Sequence, residues 1–380
     1  MGRIDILLFA EDPSAANYAA LLLPAFARQG WSARLYAAAI ACGWLHSRGV
    51  EFTEVATDAD ARSFLREVNP RCVLTGTAEN PETFGLRLID AAHVAGIPSV
   101  AFIDALMSAA YRFRGTTGDP LAHAPDRLLV PDSKTLAAFA SLGYPQDHIA
   151  VCGHPQCEQT RALASQWVSE GGPPAFRRQL FPELDPSRRV IVFVSEGTPR
   201  FGQMPRREFA DFGFHGRGID KGRTKIILEE VLDVVAELSD QPYMVFRAHP
   251  TESAESYAEY GSEIDRISSS GEPLELIYAA DLVVGMTSML LLEAALLGRS
   301  TLAVLAQESE VELLPSVRSG LTPYVLNRAA LRELLPVLLG GKVAWSSRGG
   351  EDLMVSGAAE RVVRVLAGLV EKGREQGDRI

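Results

Sequence analysis

Apolar and polar positions along this chain follow two periods that take turns. Residues 4–10 form a short apolar run that stops at Glu11-Asp12-Pro13-Ser14, and apolar residues then recur at helical spacing from Ser14 to Arg28. A buried strand, a turn and an amphipathic helix are the expected result. The same rhythm predicts strands at 33–39, 51–55, 72–75, 99–103 and 127–130, with helices between most of them, and the first half closes near 149–153. Strands this apolar, spaced by helices, belong to a parallel sheet covered on both faces.

After a helix-like stretch at 159–170 comes Gly171-Gly172-Pro173-Pro174, a composition that marks a boundary. The rhythm restarts with strands at 189–195, 243–247, 282–285 and 300–305, and ends in an amphipathic helix from Ala358 to about Lys372 with a charged tail. The expected plan is a first Rossmann-like domain over 1–160, a linker over 161–188, a second Rossmann-like domain over 189–357, and a C-terminal helix and tail over 358–380. One stretch breaks the pattern. Residues 198–222 carry Arg200, Arg206, Arg207, His215, Arg217 and Lys221 among glycines, and a connection this long is expected either to face a substrate or to be a decorative insertion.

A chain of 380 residues suits two domains, and 47% hydrophobic with 22% charged residues is a globular composition. A net charge of −11 argues against a nucleic-acid surface, which needs clustered Lys and Arg, so any phosphate bound should be small and locally held. Cys42, Cys72, Cys152 and Cys157 form no CxxC pair and are expected as reduced, buried thiols. No secretory leader and no membrane-length apolar run is read, so the expectation is a cytoplasmic protein. High alanine and arginine content suggests a GC-rich bacterial source, and with it natural-product or envelope biosynthesis.

In doubly wound sheets ligands lie beyond the carboxyl ends of the strands, so the chemistry is sought there. After the first strand, Asp12 or Ser14 can cap a helix while a carboxylate, Glu11 or Asp12, faces the cleft. Gly76-Thr77-Ala78-Glu79-Asn80 follows the 72–75 strand. Asp104 ends the 99–103 strand, placed either as a general acid or base or as a loop-holding carboxylate. In the second half, Ser195-Glu196-Gly197-Thr198 offers a hydroxyl and free amides to a phosphate. Arg247 and His249 set a fixed positive charge and an imidazole at one strand end. Gly285-Met286-Thr287-Ser288 opens a helix whose free N–H groups favour an anion, and Glu293 lies in that helix among leucines and alanines, where a carboxylate needs donors such as ribose hydroxyls.

The pattern Ala280-Asp281, Thr287-Ser288, Glu293-Ala294-Ala295, Leu297-Gly298 resembles the donor signature of the GT-B glycosyltransferase superfamily. That resemblance implies an α/β fold of two Rossmann-like domains facing a central cleft, with Thr287 and Ser288 on a donor diphosphate and Glu293 on its ribose. Gly153-His154-Pro155, Arg247-Ala248-His249-Pro250 and the donor signature, in that order, are similar to the non-hydrolysing UDP-N-acetylglucosamine 2-epimerases and to related lipid-sugar and glycerophosphate transferases. The chain departs from the epimerases in having Thr77 in place of an acidic residue, Asp104 in place of a glutamate, and Met286-Thr287 in place of a glycine pair.

Epimerisation by elimination and re-addition needs several carboxylates, whereas transfer needs one base and a stabilised leaving group. The expected function is therefore a metal-independent glycosyltransferase that uses a nucleotide sugar, UDP-linked, as co-substrate and needs no further cofactor. A 2-epimerase or hydrolase is the alternative, and a non-catalytic nucleotide-sugar sensor a third. Asp104, Asp12 and His249 are the expected catalytic residues. Ser195, Glu196, Gly197, Thr198, Arg247, His249, Gly285, Met286, Thr287, Ser288 and Glu293 are expected at the donor, and Glu11, Asn17, Asn80, Met107 and Tyr111 at a small-molecule or envelope-precursor acceptor, with Tyr18 and Arg112 as further cleft-facing candidates. No metal site, nucleic-acid partner or integral membrane segment is expected, and a homodimer is left open.

Overall fold

The apolar runs become strands because both of their faces are covered. The computed structural model describes residues 3–78, 80–104, 109–196, 213–218, 222–249, 252–341 and 356–377. In the first half the strands are β1 (Ile4–Ala10), β2 (Ala33–Ala37), β3 (Thr53–Glu54), β4 (Pro70–Thr75), β5 (Ser99–Phe102), β6 (Arg127–Val130) and β7 (Ile149–Val151). Between and after them run the helices α1 (Pro13–Arg28), α2 (Ile40–Ser47), α3 (Ala61–Val68), α4 (Phe84–Ala95), α5 (Ala109–Arg112), α6 (Ser133–Ser141) and α7 (Pro155–Ser169).

The second half begins with α8 (Gly172–Leu180) and continues through β8 (Val190–Val194), α9 (Arg223–Ala236), β9 (Tyr243–Arg247), β10 (Arg266–Ser268), α10 (Pro273–Ala279) and β11 (Leu282–Gly285). It ends with α11 (Met289–Leu296), β12 (Ser300–Val304), α12 (Pro315–Arg318), β13 (Tyr324–Val325), α13 (Arg328–Leu339) and α14 (Ala358–Gly377). The chain divides into two compact units, residues 1–159 with 352–380, and residues 160–351. Both are parallel sheets flanked by helices, the Rossmann-like α/β architecture.

The first sheet has seven strands in the order β3-β2-β1-β4-β5-β6-β7, and the second has six in the order β10-β9-β8-β11-β12-β13. In each, the chain works outward to one side and then returns to the middle to build the other. The reversal lies between β1 and β4, paired in parallel with Phe9 beside Thr75, and between β8 and β11, with Val194 beside Gly285. At such a reversal the flanking helices diverge and leave a crevice at the strand ends. Glu11, Asp12, Gly76 and Thr77 are thereby delivered to one reversal, and Ser195, Glu196 and 286–288 to the other.

Two segments differ from expectation. The supposed linker is part of a core: α7, anticipated as a helix at 159–170, and α8, which was not, bring Trp167 and Phe176 against Tyr278, with ring centroids 4.8–5.2 Å apart, in the core of the second unit. The supposed C-terminal appendage, α14, buries Val362, Val363, Leu366 and Val370 in the core of the first unit. Glycine and proline in the linker had implied irregular chain, but Pro173 and Pro174 stand in the first turn of α8, where the missing N–H costs nothing. The edge strands β10 and β13 carry too few apolar residues to signal themselves.

Candidate functional site

In the first unit the residues after β1 serve helices first. Glu11 accepts the N–H groups of Phe84 (3.2 Å) and Gly85 (3.3 Å), taking up donors at the start of α4. Burial pushes its pKa up against those two bonds. As an acceptor-binding residue it is already engaged. Asp12, not Ser14, caps α1 by accepting from Ala15 N at 2.9 Å. Burial, and after it the charge of Asp104, raises the Asp12 carboxyl to about 7.

Asp104 is 2% exposed, and its Oδ1 has no hydrogen-bond donor among the described residues. The Arg112 guanidinium lies 3.7 Å from that oxygen. Arg112 is itself 4% exposed and donates to the Thr77 carbonyl (3.3 Å) and to Thr77 Oγ1 (3.5 Å). Behind them, His154 Nδ1 accepts from Gln156 N at 3.3 Å, which assigns the proton to Nε2, 2.9 Å from the Asp104 carbonyl. Burial lowers the His154 pKa, so the ring is held neutral as a donor to that backbone. The unit thus gathers Asp12, Asp104, Arg112, Thr77 and His154. Two carboxylates, Asp12 half-buried and Asp104 buried beside a guanidinium, lie within electrostatic reach of one another.

The remaining acceptor candidates scatter. Tyr18 is fully buried and stacked on Phe102 at 4.3 Å, which places it in the core and corrects its reading as a cleft residue. Asn17 is half-buried, Asn80 accepts from Glu82 N at 3.2 Å to shape its own turn, and Tyr111 is exposed with Arg114 4.1 Å over its ring. Met107 lies outside the described residues. Gly76 is explained by packing, since a Cβ there would meet Ala15 Cβ at 2.5 Å.

In the second unit the end of β8 is organised by Glu252. Its Oε2 accepts from Ser195 Oγ (2.5 Å) and from His249 N (3.0 Å), and its Oε1 from Tyr257 Oη (2.5 Å). Arg247 departs from its expected role as a phosphate ligand. Only 8% exposed, it donates to Ser268 Oγ (3.0 Å), Ser270 O (2.5 Å) and Gly271 O (3.0 Å). The carbonyls of the loop after β10 need donors, and a strand-end guanidinium one strand away supplies them.

The turn after β11 has an internal anion. The Thr287 N–H donates to Glu196 Oε1, and Glu196 Oε2 lies 2.5 Å from Arg223 Nη1. Arg223 also lies 2.9 Å from Glu310, which in turn accepts from Ala306 N at 2.9 Å. Burial alone would lower the Arg223 pKa, and the two carboxylates outweigh it and raise it. Ser288 caps α11, accepting from Leu290 N at 3.4 Å, and Glu293 is 8% exposed in the same helix. Met286 is a core residue with no exposed surface, so a ligand there would meet backbone and not its side chain. Gly285 is required by packing: a Cβ would stand 2.6 Å from Val194 Cγ2. Gly197 and Thr198 lie outside the described residues.

Arg223, Glu252 and Glu310 went unread in the sequence. The signals were present in part, because Gly222-Arg223 opens an amphipathic run and Glu252 stands three residues beyond His249. What was missing was the fold that sets Arg223 beside a turn 64 residues on. Among the described residues no three His, Cys, Asp or Glu side chains gather as metal ligands would, and no helix is long and apolar enough to cross a membrane.

No protein-family model matches the sequence, and no curated protein matches it. The structure is similar to the UDP-GlcNAc 2-epimerase of Neisseria meningitidis bound to UDP-GlcNAc, with TM-score 0.67 and 12% identity, covering 96% of this chain and 100% of that one. It is similar to the Methanocaldococcus jannaschii UDP-GlcNAc 2-epimerase, with TM-score 0.65 and 13% identity over 96% and 99% of the two chains. It is also similar to a variant of the wall teichoic acid polymerase TagF, with TM-score 0.56 and 12% identity over 98% and 90%. The likeness is one of fold: a two-domain α/β fold of the GT-B type.

Proposed function

We propose that this protein is a nucleotide-sugar enzyme that binds a UDP-sugar in its second unit and transfers the sugar to a hydroxyl or amine acceptor. The observation that carries the reading is the turn Thr287-Ser288 capping α11 with Glu293 buried in that helix. The amides and dipole of a helix start favour a diphosphate, and a carboxylate about 7 to 8 Å further along the axis suits the ribose of the same nucleotide. The neighbouring structures whose names include UDP-GlcNAc support this choice of donor. Ser195, held by Glu252, is a further donor ligand at the same reversal.

Transfer also needs a base for the acceptor's proton. Asp104, 3.7 Å from Arg112, or Asp12, titrating near neutrality, accepts the acceptor's proton. Helix-end amides and Arg223, in place of Arg247, stabilise the departing nucleoside diphosphate, with His249 as a further donor. A cytoplasmic setting is part of the same proposal.

A second reading, 2-epimerisation, is favoured by the nearness of a second carboxylate, Asp104, to Asp12, because removing and returning a proton uses more than one carboxylate. Titration calorimetry with UDP, UDP-GlcNAc and GDP-, dTDP- and CDP-sugars tests the shared claim. Micromolar binding of a UDP-sugar is expected, and no binding across the panel rejects it. NMR of the bound UDP-sugar incubated alone then separates the readings: a stable donor supports transfer, and a 2-epimer in the spectrum supports epimerisation. Glu293→Ala is expected to weaken donor binding at least about tenfold, a loss of roughly 1.4 kcal/mol, with an unchanged far-UV circular dichroism spectrum.

A further inference from the structure

The turn proposed for the diphosphate already carries a negative charge of the protein's own. Glu196 takes the Thr287 N–H with one oxygen and Arg223 Nη1, at 2.5 Å, with the other. Those are the two kinds of group, a strand-end amide and a guanidinium, that a phosphate would use. Arg223 is shared with Glu310 at 2.9 Å, so one positive charge faces two carboxylates. Its Nε is sealed from solvent and has no hydrogen-bond acceptor among the described residues, leaving a donor unused by either carboxylate.

From this we infer that Glu196 is an internal competitor for the diphosphate: it occupies the anion subsite when the site is empty, and a nucleoside diphosphate binds only by displacing it. The inference rests on the nucleotide-sugar reading and adds to it a residue that sets donor affinity. A diphosphate and the Glu196 carboxylate cannot share one amide and one guanidinium, because like charges at contact distance repel by several times the thermal energy. Displacement returns Glu196 to water and frees Arg223 for the incoming phosphate, while Glu310 keeps the guanidinium on its mark. Glu310 suits that role, being 4% exposed and tied to the Ala306 N–H at 2.9 Å. Glu196 thereby adds to Glu310 in neutralising the guanidinium, and loosely bound anions meet a charge they must outcompete.

The arrangement separates the parts of the ligand. Glu196 opposes the diphosphate and leaves the nucleoside alone. The test is calorimetric titration of the full chain and of Glu196→Gln, Glu196→Ala and Arg223→Lys with UDP, inorganic pyrophosphate and uridine, with thermal melting to confirm folding. Glu196→Gln keeps the shape and removes the charge, so UDP and pyrophosphate are expected to bind at least about tenfold tighter, with uridine unchanged. Arg223→Lys is expected to weaken UDP and pyrophosphate and leave uridine unchanged. Glu196→Ala covers the case in which the glutamine variant does not fold.

Unchanged or weaker UDP binding in both Glu196 variants overturns the inference while leaving the nucleotide-sugar reading intact, and so does an equal gain for uridine. Failure of the wild type and of every folded variant to bind UDP rejects the nucleotide-sugar reading itself, and the inference with it. Binding of UDP by the Glu196 variants alone supports both.

Discussion

Asp12 combines a helix cap with a shifted carboxyl. Capping α1 needs only an oxygen that accepts from Ala15 N, while burial and Asp104 raise its carboxyl to about 7. Because this folded value lies above the ordinary 3.8, the protonated acid is the form the fold prefers. Its contribution to stability is complete below about pH 4 and is lost as pH rises through about 7. Asp12→Asn keeps the cap, since asparagine caps as well as aspartate. Relative to that variant, the melting temperature of the wild type is expected to fall between pH 5 and 8, which differential scanning calorimetry measures; parallel curves would mean that Asp12 does not titrate there. If Asp12 takes part in the proton transfer, turnover rises through pH about 7 and the asparagine variant loses that rise together with about 100- to 10,000-fold in rate.

At the scale of elements, the long connection before α9 is anchored where it returns. Glu230, 2% exposed in α9, accepts from His215 N (3.0 Å) and Gly216 N (2.9 Å) and pairs with Arg328. Its neighbour Glu229, fully buried, accepts from Arg217 N at 2.6 Å and Tyr260 Oη at 2.7 Å. Gly216 is needed there: φ is +62° and a Cβ would stand 2.7 Å from Glu229 Oε2. Burial would raise the Glu230 pKa, but Arg328 and the two N–H groups outweigh it and hold the carboxyl below its ordinary value. Its stabilisation is present above pH 4.5 and lost on acidification. Glu230→Ala leaves two N–H groups without their acceptor and Arg328 with Asp233 as its remaining carboxylate at 2.8 Å, and is expected to cost about 2 to 3 kcal/mol in urea unfolding at pH 7. A change below 0.5 kcal/mol would show that water replaces the carboxylate without loss.

The whole molecule is two sheets of one design, each with a strand-order reversal and polar residues brought to it. The helix that ends the sequence belongs to the unit that begins it, with Leu366 and Val370 buried in the first core. Leu366→Ala removes a fully buried side chain, and a loss of about 2 to 5 kcal/mol is expected. Hydrogen exchange should report it as faster exchange in β1 and β4, with the β8 and β11 amides unchanged; acceleration confined to β8 and β11 would contradict the assignment of α14 to the first unit.

Much of this plan is legible in the sequence, because strand and helix are local periodic patterns and a βα rhythm admits few sheets. The strands at Ile4–Ala10, Arg127–Val130, Tyr243–Arg247 and Leu282–Gly285 were readable to the residue, and with them the strand ends where Asp12, Asp104, Ser195 and Thr287 stand. The capping serine before α11 was likewise a local signal. The sequence did not reveal which partner each polar group takes. Arg247 read as a phosphate ligand and became a brace for the β10 loop, while Arg223, unremarked, stands at the Thr287 turn. Composition made a linker of residues that tertiary packing turned into two core helices. Secondary structure is decided within a few residues by backbone sterics and periodicity, so the sequence by itself determined the alternation of strands and helices. The pairing of charges is decided by whichever group the folded chain brings within a few ångströms, and for residues tens of positions apart only the tertiary structure settles that.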